Sequence, residues 1–227
     1  MPAEEAVETT TPKPKPTRAV IFAGGDISST PHIEPTDLVI AADSGYDLAK
    51  AHNIDVDLIV GDLDSITAAG LAEAIRSGIP IERYPSEKDA SDLELALQAA
   101  VHAGAKEIMI YGGEGGRSAH LVGIALGLAS RAWKDIDMSW QIGSDTVHAV
   151  LPHRPLSLTV PINTPITILP IGDAAGVTTV GLKWQLDDDA LIRGTSRGLS
   201  NIVEADNCTI SLAEGALLVI VEGTPGS

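Results

Sequence analysis

With 227 residues the chain can bury a substantial core as one large domain or two modest ones, and two are expected. Its 44 % hydrophobic, 20 % charged and 3 % aromatic residues describe a globular protein whose core is built from Val, Ile, Leu and Ala. A formal charge of −16 argues against nucleic acid or an anionic membrane as partner, since both need clustered Lys and Arg, and an anionic small substrate would need help from a metal.

The opening stretch "MPAEEAVETTTPKPKPTR" has no apolar core region and no Arg-rich amphipathic pattern, so residues 1–17 are expected to form a mobile, extended tail. No apolar run approaches the roughly 20 residues that cross a bilayer. The single cysteine, Cys208, is expected to be a buried thiol, which together with the missing signal fits a cytoplasmic protein.

Order is expected from "RAVIFAGGDI", a β-branched run ending in Gly-Gly-Asp that reads as a strand and loop. "DLVIAADSGYDLAKAHN" repeats the scheme, with a strand through Val39 to Ala42, a turn at Asp43-Ser44-Gly45 and a helix carrying Leu48 and Ala49. "DLIVGDLDSI" is a third strand, and "ITAAGLAEAIRSGI" a helix ending near Gly78. "IERYPSEKDASDLELALQAAVHAG" predicts a strand, a polar loop and a helix with Ser91 as N-cap and Glu94 as its capping-box partner. "KEIMIYGGEGG" is a further strand running into glycines, and "AHLVGIALGLASRAW" a further helix. This alternation predicts a parallel, Rossmann-like α/β domain over residues 18–143, with polar residues at the carboxyl ends of its strands lining a ligand crevice. Beyond about Trp140 helical periodicity disappears. Short β-rich runs broken by Pro, Gly, Asn and Asp predict six or more antiparallel strands, a β-sandwich or barrel over residues 144–224.

Three strings carry chemistry. Asp43, Asp62 and Asp64 follow strands; carboxylates crowded at close range repel one another, and hard oxygen ligands with open positions suit Mg²⁺ completed by substrate phosphates. "SEKDASDLELAL" sets Lys88 ahead of a helix start that attracts anions, with Asp92 in its first turn. "YGGEGGRSAH" offers glycines, among them Gly115 and Gly116, for close approach to a ligand, plus Arg117 and His120. It is not a Walker-type loop, and "FAGGDI" does not complete a dinucleotide fingerprint. Each string taken alone is better explained by caps and turns.

In this order and spacing the strings "DSG", "GDLDS", "EKDASDLELAL" and "GGRSAH" resemble the successive catalytic-domain motifs of thiamine pyrophosphokinases, also called thiamine diphosphokinases. "GLKWQL" with "GTSRGLSN" resembles the thiamine-binding signature of that family, so the likeness covers roughly residues 18–224. The resemblance implies transfer of the pyrophosphoryl group of ATP to the hydroxyethyl oxygen of thiamine, giving thiamine diphosphate and AMP with Mg²⁺. It further implies a homodimer with thiamine between the α/β domain of one subunit and the β domain of the other. By motif match, Asp43, Asp62, Asp64 and Asp92 would form the metal and catalytic set, with Asp64 or Asp92 also able to accept the alcohol proton. Lys88, Arg117, Gly115, Gly116 and His120 would meet the nucleotide, and Trp184, Ser200 and Asn201 the thiamine.

One position departs from the family pattern G-G-R-x-D-H: Ala119 stands where the aspartate would be, with Glu114 nearby as an offset. That departure keeps open a nucleotide- or thiamine-binding sensor without transfer, or transfer to another alcohol. Trp184 also reads as a core residue of the sandwich, while Trp133 and Trp140 are assigned to packing.

Overall fold

The computed structural model describes residues 16–223. The tail expected over residues 1–17 therefore lies, apart from its last two residues, outside the described residues. Among the described residues, four α-helices, one 3-10 turn and fourteen strands follow one another along the chain.

The first half is a run of β-α units. Strand β1 (Arg18–Phe22) is flanked by β2 (Leu38–Ala42) on one side and β5 (Glu107–Tyr111) on the other, all parallel. β3 (Leu58–Gly61) and β4 (Ile81–Arg83) extend the sheet beyond β2, and β6 (Asp137–Ile142) pairs in parallel with β5. The chain thus winds outward from β1 in one direction, then returns to build in the other. The place between β1 and β5 is the switch point at which open α/β sheets form their crevice.

Both faces of these strands are apolar because both are covered. Tyr46 and Ala49 of α1 (Gly45–Ala51) and Ala74 of α2 (Ala68–Arg76) pack with Val20, Phe22, Val39 and Ile59 on one face. Leu95, Ala96 and Ala100 of α3 (Asp92–Ala103) and Leu128 of α4 (Ser118–Leu128) pack with Ile21, Ile40, Ile108 and Ile110 on the other. The helix starts are where their caps put them. Thr67 Oγ1 accepts from Gly70 N at 3.0 Å, and Ser91 Oγ accepts from Glu94 N at 3.2 Å, each worth about 1 kcal/mol. α3 ends at Gly104, whose φ of +110° closes the helix in the left-handed region.

The helix expected through Trp133 stops earlier, at Leu128. Ser130 then caps a separate 3-10 turn over Arg131–Trp133 by accepting from Ala132 N at 3.3 Å. A serine offering its own backbone an alternative partner is a ready stop after a glycine-containing helix.

The boundary expected at 143/144 falls in the tight turn between β6 and β7 (Asp145–Val150), and the sheet runs straight through it. β7 pairs antiparallel with β6, β14 (Leu217–Val221) with β7, β9 (Pro165–Pro170) with β14 and β12 (Asn201–Ile202) with β9, making one mixed sheet of ten strands. A second antiparallel sheet, ordered β11 (Asp189–Leu191), β10 (Ala174–Val180), β13 (Asn207–Ser211) and β8 (Leu156–Thr159), closes the sandwich. Val150, Ile166, Ile168 and Val219 from the long sheet meet Val177, Cys208 and Ile210 from the short one. Trp140, 2 % exposed, closes the α/β core and donates its indole N–H to the carbonyl of Gly112 at 2.9 Å.

Candidate active site

The carboxyl ends of β1, β2, β3 and β5 open into a cavity of about 590 Å³. Its mouth is lined by Gly24, Gly25, Asp43, Ser44, Ser65 and Asp92. Asp43 follows β2 with a φ of +48°, a strained conformation for a residue with a side chain. It is only 5 % exposed. Ser65 N donates to its Oδ2 at 3.3 Å, whereas Oδ1 is buried with no hydrogen-bond partner. Burial, seconded by repulsion from Asp92 and Asp62, holds the Asp43 carboxyl above the usual carboxylate range despite the Ser65 bond.

Three aspartates converge. One carboxylate oxygen each from Asp43, Asp62 and Asp92 lies within 4.8 Å of the other two. The convergence needs the backbone of β3 to pass close by. A Cβ on Gly61 would come within 3.1 Å of Asp43 Cβ and 3.2 Å of Asp92 Oδ1, so glycine at the end of this strand leaves room for the acids.

Lys88 sits against the cluster. Its Nζ donates to Asp62 Oδ2 at 3.2 Å and lies 3.0 Å from Asp92 Oδ1, an oxygen that is buried and makes no aligned hydrogen bond. Burial pulls the ammonium downward, but the two carboxylates outweigh it and raise Lys88 above its ordinary value. For Asp62 burial works upward, and bonds from Asp64 N–H, Lys88 and Ser86 together outweigh it, so its carboxyl lies below the usual range. One ammonium among three carboxylates leaves a net negative site. The inward oxygens of Asp43, which has no partner, and of Asp92, which faces Lys88, are a hard donor set that fits a divalent cation such as Mg²⁺.

Asp64 lies outside this group. Leu63 between the two loop acids takes a φ of +67°, so the chain turns there, and Asp64 is exposed with Oδ1 accepting from Ser65 Oγ at 2.8 Å. Arg117 is the N-cap residue of α4, exposed, with Nη2 2.9 Å from His120 Nε2. Gly116 and His120 line the cavity, and Gly115 turns the loop ahead of them with a φ of +68°. Ala119 lines the cavity as well. Glu114 is not a spare carboxylate, because Ser28 donates to it from Oγ at 2.5 Å and from N at 3.3 Å.

The candidate thiamine residues form a second feature, on the β half. Trp184 is 55 % exposed and so is no core residue of the sandwich; Lys183 Nζ lies 4.8 Å from its ring centroid. Asn201 is buried and clamps the backbone of Trp184, accepting from its N–H at 3.1 Å and donating to its carbonyl at 2.7 Å. Trp184 and Asn201 share a cavity of about 390 Å³ with Arg197 and Leu199. Ser200 adjoins it with a φ of +54°, its N–H donating to Thr167 Oγ1 at 3.1 Å.

Sequence reasoning missed Ser65, Ser86 and the far wall of the large cavity. The two serines act through hydrogen bonds to Asp43 and Asp62, and serines in polar loops give no periodic signal. That wall is apolar and is indistinguishable from core until the fold shows it open.

The chain matches two family models, "Thiamin pyrophosphokinase, catalytic domain" over residues 31–138 and "Thiamin pyrophosphokinase, vitamin B1 binding domain" over residues 160–217. It is 28 % identical over 207 residues to the thiamine pyrophosphokinase of Bacillus subtilis, covering 88 % of this chain and 96 % of that one. The crystal structure of thiamine pyrophosphokinase from Bacillus subtilis superimposes with a TM-score of 0.79 at 24 % identity, over 91 % of this chain and 99 % of that one. That from Geobacillus thermodenitrificans gives 0.79 at 22 %, over 92 % and 99 %. Thiamin pyrophosphokinase from Candida albicans gives 0.74 at 13 %, over 91 % and 90 %. These superpositions establish the shared fold. With both domain models matched in order on this fold, the chain belongs to the thiamin pyrophosphokinase family, enzymes that transfer a pyrophosphoryl group from ATP to thiamine.

Proposed function

We propose that this chain transfers the pyrophosphoryl group of ATP to thiamine at the Asp43, Asp62 and Asp92 cluster, which holds Mg²⁺. The observation that carries the reading is the convergence of the three carboxylates, with Asp43 Oδ1 buried and unpartnered, at the carboxyl ends of β2 and β3 and the start of α3. When bound, Mg²⁺ supplies neutralisation of the charge on the group being transferred.

The protein's own residues do the rest. Lys88, now shared between Asp62 and Asp92, is within reach of a phosphate oxygen placed at the cluster and offsets its charge. Arg117 and His120, paired at the start of α4, approach the phosphates with the backbone of Gly115 and Gly116. The hydroxyethyl oxygen of thiamine attacks the β-phosphorus of ATP, the bond from that phosphorus to the α-phosphate oxygen breaks, and AMP leaves. The alcohol proton passes to Asp64, exposed and outside the cation cluster, whereas Asp92 is already committed to Lys88.

Residues 18–143 supply this donor and metal site, and residues 144–224 the acceptor site. Trp184, pinned by Asn201 and flanked by Ser200, presents an exposed aromatic face to a cationic thiazolium ring. We place the complete acceptor pocket between subunits of a homodimer, a reading supported by apolar side chains left exposed on both halves: Val122 and Leu126 on α4, Trp184 and Leu199 on the β half. Among the described residues no helix is long and apolar enough to cross a membrane, in keeping with the cytoplasmic location we propose.

The test is direct. Purified protein given thiamine, ATP and Mg²⁺ should form thiamine diphosphate and AMP in equal amounts, and EDTA should stop it. Ala119 in the cavity wall favours one second reading, a nucleotide-binding sensor. ATP binding without AMP release would establish that reading instead.

A further inference from the structure

Glu114 has no part in the chemistry proposed above, yet it stands between Gly113, which lines the large cavity, and the Gly115-Gly116 turn that approaches the phosphates. A carboxylate beside the place of a polyanion repels that polyanion. On charge alone, glutamate is a poor residue for this position.

Its hydrogen bonds give it another use. Past the carboxyl ends of β1 and β5 the two loops stay joined: Ala23 N donates to the Tyr111 carbonyl, Gly113 N to the Gly24 carbonyl and Asp26 N to the Glu114 carbonyl, each at 2.8 Å. The approach is too close for a side chain at Gly25, where φ is +98° and a Cβ would come within 2.6 Å of the Glu114 carbonyl oxygen. The Glu114 side chain then carries the join further along the β1 loop. Ser28 donates from Oγ to Oε2 at 2.5 Å and from N to Oε1 at 3.3 Å, so each carboxylate oxygen has its own donor. Glutamine offers one acceptor oxygen and cannot reproduce this two-point clasp. Asp26 meanwhile lies so close to Gly115 that a Cβ there would collide with its carboxylate, so the clasped loop leans directly on the turn. Gly115 and Gly116 are exposed and have no side chains to pack, which leaves their order to what holds the neighbouring backbone.

We infer that Glu114 is a positioning residue for pyrophosphoryl transfer: by clasping Ser28 it locks the β1 loop, with Gly24 and Gly25 of the cavity mouth, against the Gly115-Gly116 turn and sets that turn before the donor arrives. This rests on the reading that the turn meets the donor's phosphates. The two donors on the carboxylate offset part of its repulsion, and a turn ordered in advance loses less freedom on binding.

Clasp and charge predict opposite results, so three variants separate them. Ser28→Ala removes a donor and leaves the charge, Glu114→Gln removes the charge and leaves one acceptor, and Glu114→Ala removes both. With Mg²⁺ present, Glu114→Ala should raise the KM for ATP about tenfold and Ser28→Ala about threefold, with kcat and the KM for thiamine within about twofold. Glu114→Gln should fall between Glu114→Ala and the unaltered protein. Ser28→Ala combined with Glu114→Ala should be no worse than Glu114→Ala alone, because both break one clasp. Backbone hydrogen exchange over residues 24–28 and 113–118, measured without ligand, should quicken about fivefold in Glu114→Ala and less in Ser28→Ala. Ser28→Ala, a one-atom change at the surface, carries the test if the Glu114 variants do not fold. Equal or tighter ATP binding in Glu114→Ala, unchanged exchange, multiplying effects in the double variant, or equal losses for ATP and thiamine would each overturn the inference. Unaltered protein that binds ATP but forms no thiamine diphosphate would refute the transfer reading alone, since ATP affinity by calorimetry and exchange still report the clasp.

Discussion

The two sites of this molecule are built by opposite means. In the α/β half, reactive groups are driven together against their own repulsion. Asp43 is strained and buried, and three carboxylates share a few ångströms with one ammonium. In the β half the central residue is left out in the open and only its backbone is fixed, Trp184 being clamped by the amide of Asn201. A site that stabilises developing charge must be organised before substrate arrives, and it stores the necessary tension in the fold. A site that recognises a flat cation needs area and a fixed angle, at little cost to the folded state.

The sharpest way to break this contrast is to relieve the tension. Asp43→Asn should reduce pyrophosphoryl transfer by about a thousandfold, and in the absence of Mg²⁺ it should also raise thermal stability by about 1 kcal/mol. The sign follows from the raised carboxyl: the buried charge opposes folding above that carboxyl's pKa, and asparagine removes it. A variant both inactive and less stable would mean that the cluster is not under electrostatic tension. Next in size is the core of the α/β half. Trp140→Ala, which empties a fully enclosed site and orphans the Gly112 carbonyl, should lower stability by about 3–5 kcal/mol in chemical denaturation.

His148 on β7 probes the junction of the halves. Desolvation pushes its pKa down to about 4 from 6.5, so the unfolded chain takes up a proton between those values and the folded chain does not. Stability should therefore be full above pH 6.5 and fall by about 1–3 kcal/mol on the way to pH 4, and His148→Gln should flatten that slope. Smallest is the recognition site itself. Trp184→Ala should raise the KM for thiamine about tenfold with little change in kcat or in ATP affinity. A loss confined to kcat would place Trp184 in the chemistry and erase the contrast.

Much of the α/β half was legible because strand, turn and helix signals alternate there at full strength, and each acid follows a β-branched run. Asp62 and Asp64 looked equivalent, two acids one residue apart. The left-handed turn at Leu63 separates them, and nothing in a leucine announces a positive φ. Ser91 was readable as a cap since the motif is local, whereas the end of the following helix was not, because "LASRAW" keeps its apolar spacing past the point where Ser130 diverts the backbone. Residues 144–224 were readable as antiparallel strands, but not that four of the eight would extend the first sheet. Pairing between strands far apart in sequence leaves no mark on either.

The ladder that crosses the turn at Gly143 and Ser144 ties the halves into one fabric, with β6 hydrogen-bonded to β5 on one side and β7 on the other. A protein cut at that hairpin would yield an amino-terminal piece with a naked border strand whose amide and carbonyl groups had lost their mates. Such a border invites self-association, so the catalytic half is not a module to be borrowed alone; it is soluble company only while its neighbour covers the seam.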